Sequence, residues 1–130
     1  MPMATNERGE TSVESVVLAP VLFTLAFAVV HVASFWMSAH TASVAAARGA
    51  RAASMASDSR ELFELGAGAV EQTVSELGAK LASAPLVEIN DKVIRVTVET
   101  RIAGVTPFLP HVVRRSVEAR RESYVRESDR

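Results

Sequence analysis

The stretch from Val16 to Met37, VVLAPVLFTLAFAVVHVASFWM, contains no Asp, Glu, Lys or Arg, and His31 is its one titratable side chain. A helix rises about 1.5 Å per residue, so about 20 apolar residues cross a hydrocarbon core about 30 Å thick. Buried helices of soluble domains are usually shorter and carry a polar stripe at helical spacing. Here only Thr24, His31 and Ser34 interrupt the apolar surface. The segment reads as one membrane-spanning helix, with the lipid bilayer as its first partner. A chain of 130 residues then has room for one further small domain. Apolar residues are concentrated before residue 58, so that domain can build only a thin core.

What flanks the span sets its limits. Met1 to Gly9 is a short polar leader with Arg8 as its one basic residue, and Glu7, Glu10 and Glu14 stand where a secretory signal peptide carries basic groups. The apolar run is also too long for such a peptide, although small residues follow Met37. Pro20 removes one backbone hydrogen bond and is expected to kink the helix. Phe35 and Trp36 close the run as an interfacial aromatic anchor. No breaker follows. Ser38, Ala42, Ala46, Ala50 and Ser54 recur every fourth residue within an alanine-rich continuation, a stripe that lets another helix approach closely. Gly49 is tolerated within it, and Arg48 and Arg51 are expected to meet water or lipid phosphate. One helix from about Val13 to Ser57 follows, roughly 65–70 Å long at the helical rise. The domain reading is a leader over 1–9, the helix over 10–57 and a small domain over 58–130.

Cutting after Gly9 would place a free amine on Glu10, four residues before the Glu14 carboxylate. This spacing, with the apolar helix behind it, resembles the prepilin-peptidase site of type IV pilin-like proteins. RGETSVESVVLAPVLFTLAF more narrowly resembles the amino end of the TadE-like family of pilus-assembly pseudopilins. Gly9, Val13-Glu14 and Pro20 occupy the family's glycine, Val-Glu and early proline positions. TASVAAARGARAAS (Thr41–Ser54) is similar to its alanine-rich segment, while Ser15 departs from the aromatic residue or alanine common after the glutamate. The resemblance implies a non-enzymatic protein of a tight-adherence pilus, processed by prepilin peptidase between Gly9 and Glu10. Its partners would be other pilin-like subunits and the assembly machinery. Glu14 would be the assembly carboxylate, since a lone charge in hydrocarbon costs at least about 2.5–3.5 kcal/mol and a neighbour's new amino terminus would neutralise it. The resemblance also implies an inner-membrane protein with its amino end cytoplasmic and its small domain outside. The arginine distribution alone, with Arg8 before the span and Arg48 and Arg51 after it, points the other way.

In the second half, Asp58 with Glu61 three residues on forms a helix start. Phe63, Val70, Val74, Leu77 and Leu81 recur at the spacing of an amphipathic helix over 60–83, ended by Pro85. Leu86–Ile89 and Val93–Ile102 read as two strands about an Asn90-Asp91 turn. Ile94, Val96, Val98 and Ile102 share one face with Val87 and Ile89, opposite Arg95, Thr97, Glu99 and Arg101. Pro107–Pro110 is a loop with exposed Phe108 and Leu109. The segment after it suits strand and helix nearly equally; the family outline favours a third strand before a frayed tail. The fold class is thus an α+β membrane protein: a long amino-terminal helix, a short amphipathic helix and a small antiparallel meander.

No chemistry-bearing constellation accompanies this architecture. With no cysteine, the chain has no disulfide framework or thiolate site. His31 and His40 fall on opposite sides of one helix and cannot share a metal. No phosphate loop, HExxH or nucleophile elbow occurs, so no cofactor, metal or catalytic residue is expected. A formal net charge of −1 and a mixed carboxy-terminal run, in which Arg114, Arg115, Arg120 and Arg121 alternate with Glu118 and Glu122, give no case for nucleic acid. Two rivals to the pilin-like reading remain: a membrane-anchored module recognising an extracellular ligand, and a secreted binding domain cut free near residue 40.

Overall fold

A computed structural model describes residues 7–103 and 108–121, with side chains from Val13 onward. Helix α1 spans Glu7–Ser54, α2 spans Ser59–Glu76, and strands β1 to β4 span Lys80–Leu81, Leu86–Asn90, Val93–Arg101 and Val112–Arg120. The chain divides into two compact units, Met1–Ala33 and Ser34–Arg130. The alanine-rich continuation of α1 therefore belongs to the folded domain, which begins well before the expected boundary at 58.

The first unit contains α1 as far as Ala33. The helix continues through Pro20, and the Thr24 hydroxyl donates to the Pro20 carbonyl at 2.8 Å. From Val13 to Ala33 its side chains are exposed, apart from a half-buried His31. It meets the length and composition needed to cross a membrane, and none of that apolar window is buried by the chain itself.

The second unit is a helical layer on a four-stranded antiparallel sheet. β3 is central: β4 pairs along its whole length, while β2 and β1 lie end to end on its other edge. Alternation along β3 places Ile94, Val96, Val98, Thr100 and Ile102 on the buried face, as the period-two pattern predicts. Val87 joins it opposite Val96, and Ile89 opposite Ile94. On the outer face Arg95 holds Glu118 through Nε at 2.9 Å and Nη2 at 2.5 Å, and this hydrogen bond and charge raise the guanidinium pKa above its ordinary value. The 111–122 segment is a strand, β4, over Val112–Arg120, and the tail from 122 lies outside the described residues.

Local signals set the elements. Asp58 caps α2, its Oδ1 accepting from the Glu61 amide at 2.8 Å, while Glu61 Oε2 accepts from the Ser57 amide at 2.8 Å. The helix ends at Glu76 rather than near 83. Gly78 takes φ +68°, its amide donating to the Ser75 carbonyl at 3.0 Å and the Ala79 amide to the Val74 carbonyl at 3.0 Å. That double bond is a Schellman cap, which a left-handed glycine adopts at no steric cost. It frees Lys80-Leu81 to pair with β3. The turn also differs by one residue from expectation: Asn90 pairs with Val93, leaving Asp91-Lys92 as the loop, with Asp91 at φ 48°.

The core face of α2 is Leu62, Gly66, Val70, Thr73 and Val74, whereas Phe63 and Leu77 are exposed. Val70 and Val74 face the core as the spacing predicts, but Leu62 rather than Phe63 continues that face and Leu77 lies off it. Glycine and threonine occupy core positions because the two helices approach closely there. A Cβ on Gly49 would meet Val70 Cγ2 at 2.5 Å, the Gly66 carbonyl oxygen at 3.0 Å and Val96 Cγ1 at 3.2 Å. A Cβ on Gly66 would meet Ala53 Cβ at 3.2 Å and Val87 Cγ2 at 3.4 Å. Gly49 therefore sits where α1, α2 and β3 converge.

Candidate functional site

The residues singled out in the sequence fall into two groups. Gly9 and Glu10 lie in the first turns of α1, in backbone terms; their side chains are outside those described. Glu14 is exposed one turn further on, with no ion-pair partner among the described residues. Beyond it Pro20, Val21, Thr24, Leu25 and Ala28 line a shallow apolar groove along the helix. A carboxylate at the head of an uncovered apolar helix is costly to carry into lipid unless another molecule supplies a cation.

The second group behaves otherwise. Ser38, Ala42, Ala46 and Ala50 are buried, and Ser54 is partly so, its hydroxyl donating to the Arg51 carbonyl at 2.7 Å. What covers the stripe is the chain's own domain: Ala42, Ala46 and Ala50 share one core with Leu62, Val70, Val74 and the inner sheet face. The buried Thr100 hydroxyl donates to the Ser38 carbonyl at 3.0 Å, tying β3 to the start of this face. The helix that approaches this stripe is the chain's own α2. Small side chains allow it because a helix can then lie close to both neighbours. Arg48 is also reassigned: it pairs with Glu76 at 3.1 Å, while Arg51 is exposed.

Other surfaces offer less. The depression around the β2–β3 turn is lined by Glu88, Lys92, Arg95 and Glu118, of which Arg95 and Glu118 pair with each other. His40 stacks on Trp36 with ring centroids 5.8 Å apart. Among the described residues no group of three or more His, Asp or Glu could hold a metal. Gly49 and Gly66 are the residues that sequence reasoning undervalued, and only their position opposite each other could have revealed them.

A span-length apolar helix followed by a small α+β domain defines the class: a membrane-anchored protein whose exposed apolar helical surface runs from Val13 to Met37. Within it, residues 9–51 match the family model described as TadE-like protein, the same family that the amino-terminal sequence resembles. The match covers Gly9, Val13-Glu14 and Pro20 together with the stripe as far as Ala50. No curated protein and no solved structure matches the chain.

Proposed function

We propose that this protein is a non-enzymatic, pilin-like subunit in the assembly of a tight-adherence-type pilus. The observation that carries the reading is the family match over residues 9–51, which spans the glycine, the Val-Glu pair and the early proline in order. Prepilin peptidase cuts after Gly9 in this scheme. The amine released on Glu10 of one subunit then neutralises Glu14 of a neighbour, so the pair favours one register of assembly. The helix is held in the inner membrane with its amino end cytoplasmic and the α+β domain outside.

The burial of the stripe narrows the mechanism. Ala42, Ala46 and Ala50 are fully occupied within their own domain. Helix–helix packing between subunits is therefore assigned to the exposed apolar part of α1, from Val13 to Met37.

Amino-terminal sequencing of the membrane-extracted protein tests the processing step. A start at Glu10 is expected. A start at Met1 or Pro2 would replace the pilin-like reading by the membrane-anchored binding module. A start near residue 40 would indicate a secreted domain, at the expense of cutting α1 beside the Thr100–Ser38 contact that the folded unit uses.

A further inference from the structure

The second unit presents an apolar tip that its own core does not use. Phe108 is 95% exposed, and Leu109 and Val112 beside it are exposed as well. The feet of this loop are firmly placed. Ile102 and Val113 form a small buried cluster with Ala39, and the Ile102 amide donates to the His111 carbonyl at 2.7 Å.

Direction along β3 decides which end of the domain this is. Val96 lies beside Gly49, and Thr100 bonds to Ser38. Four strand residues advance about 13 Å, and the matching eleven helical residues about 16 Å, so β3 runs antiparallel to α1 toward the Ser34 end. Ile102 accordingly packs with Ala39, about one helical turn from Phe35, Trp36 and Met37, all exposed in the same unit. In the sequence these three close the apolar run, where an aromatic anchor marks the headgroup level.

The charges at this end fit such a surface. Lys80 and Arg101 stand directly opposite each other in the β1–β3 pair, both exposed, and neither has an ion-pair partner among the described residues. Like charges directly opposite are unfavourable unless an anion lies between or above them. Lipid phosphates supply one.

We propose that Phe108 and Leu109 insert into the interfacial layer of the bilayer, with Lys80 and Arg101 meeting anionic headgroups. The domain is then held at the membrane by a second contact. This rests on the reading of Val16–Met37 as a membrane span, and the test separates the two.

The chain has no cysteine, so single cysteines can be introduced for spin labels in the full-length protein. Leu109→Cys, Leu25→Cys and Lys92→Cys place labels at the loop, in the span and at the far turn. In vesicles of phosphatidylcholine and phosphatidylglycerol, the Leu109 label is expected about 5–10 Å into the headgroup–acyl boundary, with collisions with a water-soluble nickel complex severalfold fewer than at Lys92. Phe108→Ser in the Leu109→Cys background, or Lys80→Glu with Arg101→Glu, should move that label toward water. A Leu25 label in lipid with a Leu109 label as accessible as Lys92 would overturn the loop contact and leave the span intact. A Leu25 label in water would overturn both. Protection at Leu109 that falls as protein is diluted in lipid would assign the tip to a second copy instead, and refute the inference.

Discussion

Adding one methyl group at Gly49 tests the convergence of α1, α2 and β3 most directly. Two effects oppose each other. Replacing a helix-interior glycine by alanine favours the helix by about 1 kcal/mol. Inserting a methyl group into a filled core costs about 1–3 kcal/mol. At Gly49 the new Cβ would stand 2.5 Å from Val70 Cγ2 and 3.0 Å from the Gly66 carbonyl oxygen. Neither neighbour yields easily, since valine is stiff at χ1 in a helix and the carbonyl belongs to the α2 backbone. The cost therefore falls toward the upper end, and Gly49→Ala should lose about 1–2 kcal/mol net, or roughly 5–10 °C in Tm for a domain of this size. Gly68→Ala is the internal control. It sits on the same type of backbone with nothing within 4 Å of its Cβ, so it should stabilise by about 1 kcal/mol. Thermal unfolding of the full chain in detergent, followed by near-ultraviolet circular dichroism, compares the two. In a double-mutant cycle, Val70→Ala should remove most of the Gly49→Ala penalty, because it deletes the nearest atom. If Gly49→Ala raises Tm as Gly68→Ala does, the close approach of the two helices is wrong.

Other perturbations address separate parts of the molecule. Leu62→Ala should cost about 2–5 kcal/mol and Phe63→Ala under about 1 kcal/mol, because Leu62 is fully buried and Phe63 is 46% exposed; equal losses in denaturant titration would reinstate the displaced helix face. Asp58→Ala removes the α2 cap and should lower stability by about 1 kcal/mol, with Asp58→Asn recovering most of it in the same titration. Glu14→Ala should leave membrane insertion intact but weaken crosslinking to pilin-like partners, and unchanged crosslinking would remove Glu14 from the assembly mechanism. Ala46→Leu should cost about 1–3 kcal/mol of stability through overpacking, read as a fall in Tm; an unchanged Tm would mean that the stripe is not covered as described.

The legible parts of the fold are those whose signal is local. The β3 face follows from strict alternation between Ile94 and Val98, and the start of α2 from Asp58 and Glu61, because each pattern determines its own geometry within a few residues. The face of α2 was obscured because its core positions include Gly66 and Thr73, while Phe63 and Leu77 mimic an apolar stripe one position away. The end of α2 was placed at Pro85 because a proline breaks a helix visibly, whereas the left-handed turn at Gly78 acts only if the helix reaches it. Gly49 and Gly66 matter through each other, across sixteen intervening positions and a reversal of direction. The first turns of α1 carry the family signal in the sequence, through a glycine, a glutamate and a proline in order.

The identity of a small-residue stripe's neighbour is a question that residue size cannot answer, and here the answer changes which experiment bears on assembly. Small side chains announce that something comes close; they do not say whether it belongs to the same molecule. In α1 the buried positions from Ser38 to Ala53 are spent on the chain's own α2 and sheet. A bulky residue there first damages the domain, so lost association would follow from misfolding and carry no information about a subunit interface. In the proposed assembly, association through α1 uses side chains that the chain leaves uncovered, chiefly those from Val13 to Met37. In that segment lipid already satisfies the apolar surface, so hydrophobicity alone gives no preference for a partner. What remains to distinguish a neighbour from lipid is close packing along the Pro20–Thr24–Ala28 groove and the charge on Glu14. The groove accepts any shape that fits. The carboxylate demands a cation at one height, which is why register in this scheme depends on Glu14 rather than on the alanines.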